Sequence, residues 1–200
     1  MASVLSGFRP VKHMNGSPYN GQVNRYMISA SDSQVTNVGD LVVLSDNDAL
    51  VDTAGGGVYP AVERAASATA SAVVGAVVGF EPDYSNLNTG NYRAASTRRV
   101  VLVADSRDLI FACPQDGNIA AASVGLNCSL VIGSGAATAP YASAMMVDSS
   151  EVANTATDPV QIVGIVNSPD NANRLAGSGN AELLVRINTH AFKAAGLAGV

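Results

Sequence analysis

The side chains of this sequence equipped for chemistry are two histidines, two cysteines and a scatter of aspartates. A zinc site draws Cys and His ligands at close spacing. His13 and His190 stand 190 − 13 = 177 positions apart, and neither has a cysteine or another histidine close in sequence. Both read as surface or strand-end residues. Nucleophilic catalysis needs a nucleophile held beside a base. Cys113, in "FACPQD", is kept extended by the proline that follows it and has no histidine nearby in sequence; there is no Gly-x-Ser-x-Gly elbow. In a reducing compartment Cys113 and Cys128 are expected as two buried thiols, with a disulfide as the alternative.

The carboxylates fare no better. Asp46, Asp48 and Asp52 in "SDNDALVDTAGGG" are spaced like the start of a calcium loop. Such a loop needs an oxygen ligand at its fifth position, glycine at the sixth and glutamate at the twelfth. Leu50, Val51 and Gly57 stand there instead, so the segment reads as a polar loop tip. "GSGAATA" at Gly133 and "GSGN" at Gly177 lack the Gly-Lys-Ser/Thr of a phosphate loop and read as hairpin turns. Asp83 in "FEPD", and Asp105 with Asp108 in "ADSRDL", are candidate acid-base carboxylates, but read as residues that end strands. The expectation is a protein that is not an enzyme, with no catalytic residues, no metal site and no cofactor.

The elements that would position these residues follow from composition and pattern. In 200 residues, 48% are apolar, 14% are charged and none is Trp. Low charge with many β-branched residues is the reverse of a disordered composition. A net charge of −5, with Lys12 and Lys193 as the two lysines, argues against nucleic-acid binding. The opening "MASVLSGFRPVKH" has no basic start followed by an apolar block. The longest apolar stretch, "AASATASAVVGAVVGF", falls short of the roughly 18 residues of a spanning helix. A soluble protein, made in a cytoplasm and without a membrane partner, is expected.

Short β-type runs separated by turn residues form two series. "DLVVLS", "YPAVERA", "AVVGAVVGF", "RRVVLVAD" and "LIFAC" make the first; "NCSLVIG", "SAMMVD", "VQIVGIVN" and "ELLVRIN" the second. Their landmarks recur in the same order. Val38-Gly39 and Val124-Gly125 lie 124 − 38 = 86 apart, Gly75 and Gly164 lie 164 − 75 = 89 apart, and Pro82 and Pro169 lie 169 − 82 = 87 apart. The last strands begin 182 − 98 = 84 apart. This spacing predicts an all-β chain of two tandem small β-barrel or β-tulip-like modules, residues 37–110 and 111–200. Each Val-Gly pair is expected to mark a tight turn needing backbone angles that favour glycine. Val-rich strands such as "VVGAVVGF" are expected to be covered on both faces.

Ahead of them, residues 1–36 read as an extended N-terminal arm. Prolines, glycines and asparagines interrupt any period, and Asn15-Gly16 and Asn20-Gly21 are turn signals. Phe8, Arg9, Pro10, Met14, Tyr19 and Tyr26 are its candidate contacts with a neighbouring subunit. Removal of residues 1–34 is expected to leave the body folded. The alternative is a segment folded back on its own domain.

The opening "GFRPV…NGSPYNG", then "VGDLVVL", "VVGFEPD", "YRAASTRRVVLVAD" and the closing "LLVRIN" resemble a group of tailed-bacteriophage structural proteins. These are found beside the major capsid protein and described as head-decoration or capsid-cement proteins. The likeness runs from Gly7 to Asn188 and rests on β and turn patterns, with no catalytic signature to carry over. It implies a virion protein, assembled in the host cytoplasm, that binds the outer capsid surface through the major capsid protein. It also implies a homo-oligomer, with a trimer favoured, in a two-module version of what is more often a single module. Two alternatives share the β-rich fold. One is a recognition module for carbohydrate or a host-surface receptor, resting on Tyr59, Tyr84, Tyr92 and Tyr141 in or near loops. The other is a tail or neck component.

Overall fold

The computed structural model describes residues 6–45, 50–51, 57–84, 86–139, 141–168, 171 and 181–192. Among these residues the regular structure is all β, apart from one 3-10 turn at Ala121–Ser123. The candidate calcium-loop residues Asp46, Asp48 and Asp52, together with Pro169 and Gly177, lie outside the described residues.

Five strands close into a barrel: β2 (Asn24–Ile28), β4 (Leu41–Leu44), β7 (Ala61–Arg64), β8 (Val73–Phe80) and β10 (Arg99–Ala104). Around the barrel the order is β10-β2-β7-β4-β8, with every pairing antiparallel except β2 with β7. The valine-rich runs explain it, because β-branched side chains suit a pleated, packed surface. Tyr26, Ile28, Val42, Val62, Val74, Val77, Val101 and Val103, drawn from all five strands, form one buried cluster that fills the barrel interior. The first five residues of β8 are buried without alternation, as a strand covered on both faces requires.

The second sheet has six strands: β1 (Arg9–His13), β11 (Leu109–Pro114), β12 (Asn127–Val131), β13 (Met146–Ala153), β14 (Val160–Ile165) and β15 (Glu182–Ile187). Its order is β1-β11-β15-β14-β12-β13. Its inner face continues into the outer face of the barrel. Leu41, Val73, Ala76 and Ala104 share one core with Phe8, Phe111, Cys113, Leu130, Ile162 and Val185. Two minor ribbons complete the strands, β3 (Thr36–Asn37) with β9 (Tyr92–Arg93) and β5 (Leu50–Val51) with β6 (Val58–Tyr59).

The same sequence of pairings occurs in both sheets. The barrel runs β2-β10-β8-β4-β7 and the sheet runs β11-β15-β14-β12-β13, antiparallel at each step. Where β2 and β7 close the barrel in parallel, a single parallel bridge joins Gln115 to Val147. The Val-Gly turns also match. Gly39 has φ +93° and Gly125 φ +97°, angles that a side chain disfavours. Gly39 N–H donates to Val77 O at 2.8 Å and Val77 N–H to Asp40 O at 2.9 Å. Gly125 N–H donates to Ile162 O at 2.8 Å and Ile162 N–H to Leu126 O at 2.9 Å.

The N-terminal segment departs from the expected arm. β1 pairs along β11, and β2 pairs with β10 and β7 as part of the barrel wall. Phe8 is 1% exposed and meets Phe111 edge-on, with ring centroids 6.5 Å apart. Phe8, Tyr26, Met27 and Ile28 of this segment are buried in its own body, which offsets the cost of ordering the turns between them. The expected boundaries shift accordingly: β2 lies before residue 37 yet belongs to the barrel, and the division after residue 110 falls inside β11.

Candidate interaction surface

His190, Asp105 and the two cysteines are engaged in holding the fold. His190 is buried; its Nδ1 accepts from the Phe192 amide at 3.1 Å, which leaves Nε2–H to donate to Asp105 O at 3.0 Å. The Asp105 carboxylate accepts from Tyr26 Oη at 2.6 Å and from Asn24 Nδ2 at 2.9 Å. Burial first, then that hydrogen bond, raises the Tyr26 phenol above its ordinary value. Cys113 and Cys128 are buried free thiols. Burial lifts both, Cys128 to about 12 and Cys113 well above the ordinary thiol range, so neither is a ready nucleophile. No group of three or more potential ligands that could hold a metal ion occurs among the described residues.

Two buried arginines stitch loops together. Arg64 Nε meets Asp40 Oδ2 at 2.8 Å with both side chains almost fully buried, and Arg64 also donates to Gly133 O. Ser143 Oγ donates to Asp40 Oδ1 at 2.6 Å, and Asn37 exchanges hydrogen bonds with Ala136 at 2.7 and 2.8 Å. This polar joint ties the barrel to the loop between β12 and β13. Arg93, wholly buried, donates to the carbonyls of Ser29, Asp32, Gln34 and Thr97 and lies 3.3 Å from Asp32 Oδ2.

What remains open is surface, and the two most exposed large apolar side chains among the described residues lie on the crest after β8. Tyr84 is 73% and Leu87 79% exposed. An open groove of about 710 Å³ runs beside Tyr84, lined by Val23, Asn24 and Arg25 at the start of β2, Phe80, Glu81 and Pro82 at the end of β8, and Leu102. Arg25 pairs with Glu81 across it at 2.5 Å. A second hollow of about 240 Å³ lies on the other side of Phe80 and Pro82 and reaches Leu87 and Arg99. Arg99 braces the crest from beneath. Its guanidinium sits 4.9 Å from the Phe80 ring centroid and donates to the carbonyls of Glu81, Gly90 and Tyr92. Behind it, Tyr92 and Tyr141 stack at 4.8 Å with nearly parallel rings.

The expected contact residues of the N-terminal segment divide between core and surface. Phe8 and Tyr26 (4% exposed) are buried, while Pro10 and Tyr19 are half-buried, Pro10 opposite Phe111 and Tyr19 donating to Gln22 O at 3.1 Å. Arg9 is exposed and pairs with Glu182, and Met14 is 48% exposed near Val11, itself partly open. Of the loop tyrosines read from the sequence, Tyr84 is the most open. Leu87 was not anticipated; its signal is a lone apolar residue between Asn86 and Asn88. The chain matches no protein-family model, and no curated protein matches it.

Proposed function

We propose that this chain is a capsid-decoration protein of a tailed-bacteriophage virion, built from two copies of one β module and binding the outer face of the assembled shell through the major capsid protein. The observation that carries the reading is the way ionisable side chains are used. Asp40, Arg64, Arg93, Asp105 and His190 are locked in contacts that join strands and loops, and the most exposed large apolar side chains among the described residues, Tyr84 and Leu87, sit on a braced crest. A rigid body with little charge and a few exposed anchors suits burial against neighbours, and repeated copies on a lattice gain by avidity. The resemblance of "VVGFEPD" and its companion motifs supports the same reading, as does the recurrence of strand pairings for the two-module origin. A homo-oligomer, with a trimer favoured, fits a local three-fold position.

The test is co-sedimentation of the full-length protein with shells assembled from the major capsid protein encoded beside it. Saturation stoichiometric with the shell subunit, or with its local three-fold positions, is the expected result. Binding at a few sites only would indicate a tail or neck component. Tyr84→Ala combined with Leu87→Ala should abolish binding while changing stability by less than about 0.5 kcal/mol, because both side chains lie in water. If Val11→Ser with Met14→Ser does so instead, the contact face is that of β1.

Tyr84 also favours a second reading, a recognition module for carbohydrate or a host-surface receptor, since an open ring beside a groove can stack on a sugar face. Glycan-array hits that vanish with Tyr84→Ala, in a protein that ignores shells, would select it.

A further inference from the structure

We propose that Asn20 is a site of spontaneous, backbone-assisted deamidation, and that the fold protects Asn15 in the identical Asn-Gly dipeptide from the same reaction. Both dipeptides are exposed, and both glycines have positive φ, +88° at Gly16 and +85° at Gly21. Neither glycine has a neighbour within 4 Å of where a Cβ would sit, so both sites have room for a ring to form. They differ in what holds them. Asn15 Oδ1 accepts from Ser17 N–H at 3.0 Å and from Ser17 Oγ at 2.8 Å, and Gly16 N–H donates to His13 O at 2.9 Å. The nucleophile of Asn15-Gly16, the Gly16 amide, is engaged by His13 O, and the Asn15 side chain is held in a fixed orientation by Ser17. The Asn20 side chain and the Gly21 amide make no hydrogen bond among the described residues. Tyr19, donating to Gln22 O, spans the Asn20-Gly21 dipeptide and leaves its middle free.

The chemistry needs water and no other reagent. The Gly21 amide nitrogen gives its proton to solvent base and attacks Asn20 Cγ. A Cγ–N bond forms, the Cγ–Nδ2 bond breaks, and ammonia leaves. Water then opens the resulting succinimide at either carbonyl, giving aspartate or isoaspartate. Glycine after the asparagine favours the reaction, because a side chain there would crowd the attack and narrow the backbone angles available to it. Either product adds a negative charge to the segment between β1 and β2, and isoaspartate also inserts an extra methylene into its backbone.

The experiment incubates full-length protein at mildly alkaline pH, with peptide mass mapping of residues 15 and 20 separately, in native buffer and in denaturant. Conversion in native buffer should be at least roughly tenfold faster at Asn20 than at Asn15, the effect of breaking the hydrogen bonds that hold the latter. In denaturant the ratio should fall to near unity, since the two dipeptides are chemically alike. Ser17→Ala should raise the Asn15 rate, and Gly21→Ala should suppress the Asn20 rate. Equal native rates, faster conversion at Asn15, or no native conversion at Asn20 would overturn the proposal. No effect of Ser17→Ala would overturn the protective role of its hydroxyl.

Discussion

At the scale of single residues, the buried ion pair between Asp40 and Arg64 is the point where stability is most exposed to change. Removing one partner strands the other charge in the core. Asp40→Ala should therefore cost about 3–5 kcal/mol, read from the denaturant midpoint. The pair could not be read from the sequence. Arg64 lies 64 − 40 = 24 positions from Asp40, and Ser143, which completes it, lies 143 − 40 = 103 away. No local pattern announces a contact of that kind, whereas the positive φ of Gly39 and Gly125 was legible because a Val-Gly step before a strand is itself a local signal.

Residue chemistry also sets the response to pH. Burial and the Asp105 hydrogen bond raise the Tyr26 phenol, and burial raises both thiols. The folded protein therefore holds these protons more tightly than the unfolded chain. Their contribution is complete below the ordinary values of 9.0 for Cys and 10.0 for Tyr, and is lost as pH rises above them. Thermal midpoints should fall progressively in that alkaline window. Tyr26→Phe should lose about 1–2 kcal/mol at neutral pH, with a shallower alkaline decline. Cys113 and Cys128 should resist a thiol reagent in native buffer and react once denaturant opens the core.

At the scale of elements, β8 and β14 occupy matching places in the two sheets but differ in tightness. A Cβ on Gly75 would lie 2.2 Å from the backbone oxygen of Ala104, while one on Gly164 would meet nothing closer than Leu184 Cδ1 at 3.9 Å. Gly75→Ala should destabilise by about 1–3 kcal/mol through overpacking, and Gly164→Ala should stay within about 0.5 kcal/mol of the parent. Equal effects in urea titrations would refute the difference in closure. Strands β4, β7, β8, β10, β11, β12, β14 and β15, and the start of β13, were legible as short β-type runs between turn residues. β1 and β2 were not. Pro10 is tolerated because β1 is an edge strand, and "NRYMI" is too short to show a period. Their place in the body reverses one expectation: deletion of residues 1–34 removes part of the barrel wall and should abolish cooperative folding, checked by near-ultraviolet circular dichroism.

For the molecule as a whole, one hydrophobic core spans both sheets, and the Asp40–Arg64–Ser143 joint ties their loops. Barrel and sheet should unfold together, in a single calorimetric transition whose van't Hoff and measured enthalpies agree. Two separate transitions would show that each sheet is stable alone. The crest was legible only in part, since Tyr84 stood out as a loop aromatic while its exposure, its groove and the support from Arg99 depend on where β2 and β10 bring their ends.

The position of β15 has a bearing on how the chain is made. It lies between β11 and β14, so strands translated long before it have no partner on one side until residues 182–187 leave the ribosome. The barrel needs nothing beyond residue 104 to close its wall, yet Val73 at its rim is bonded to the stretch after β15, its N–H donating to Thr189 O at 3.0 Å and its carbonyl accepting from the Ala191 amide at 2.8 Å. Nascent β11 thus carries an open edge through much of synthesis, and β14 until β15 follows it, the stage at which strand-to-strand association between neighbouring chains competes with folding.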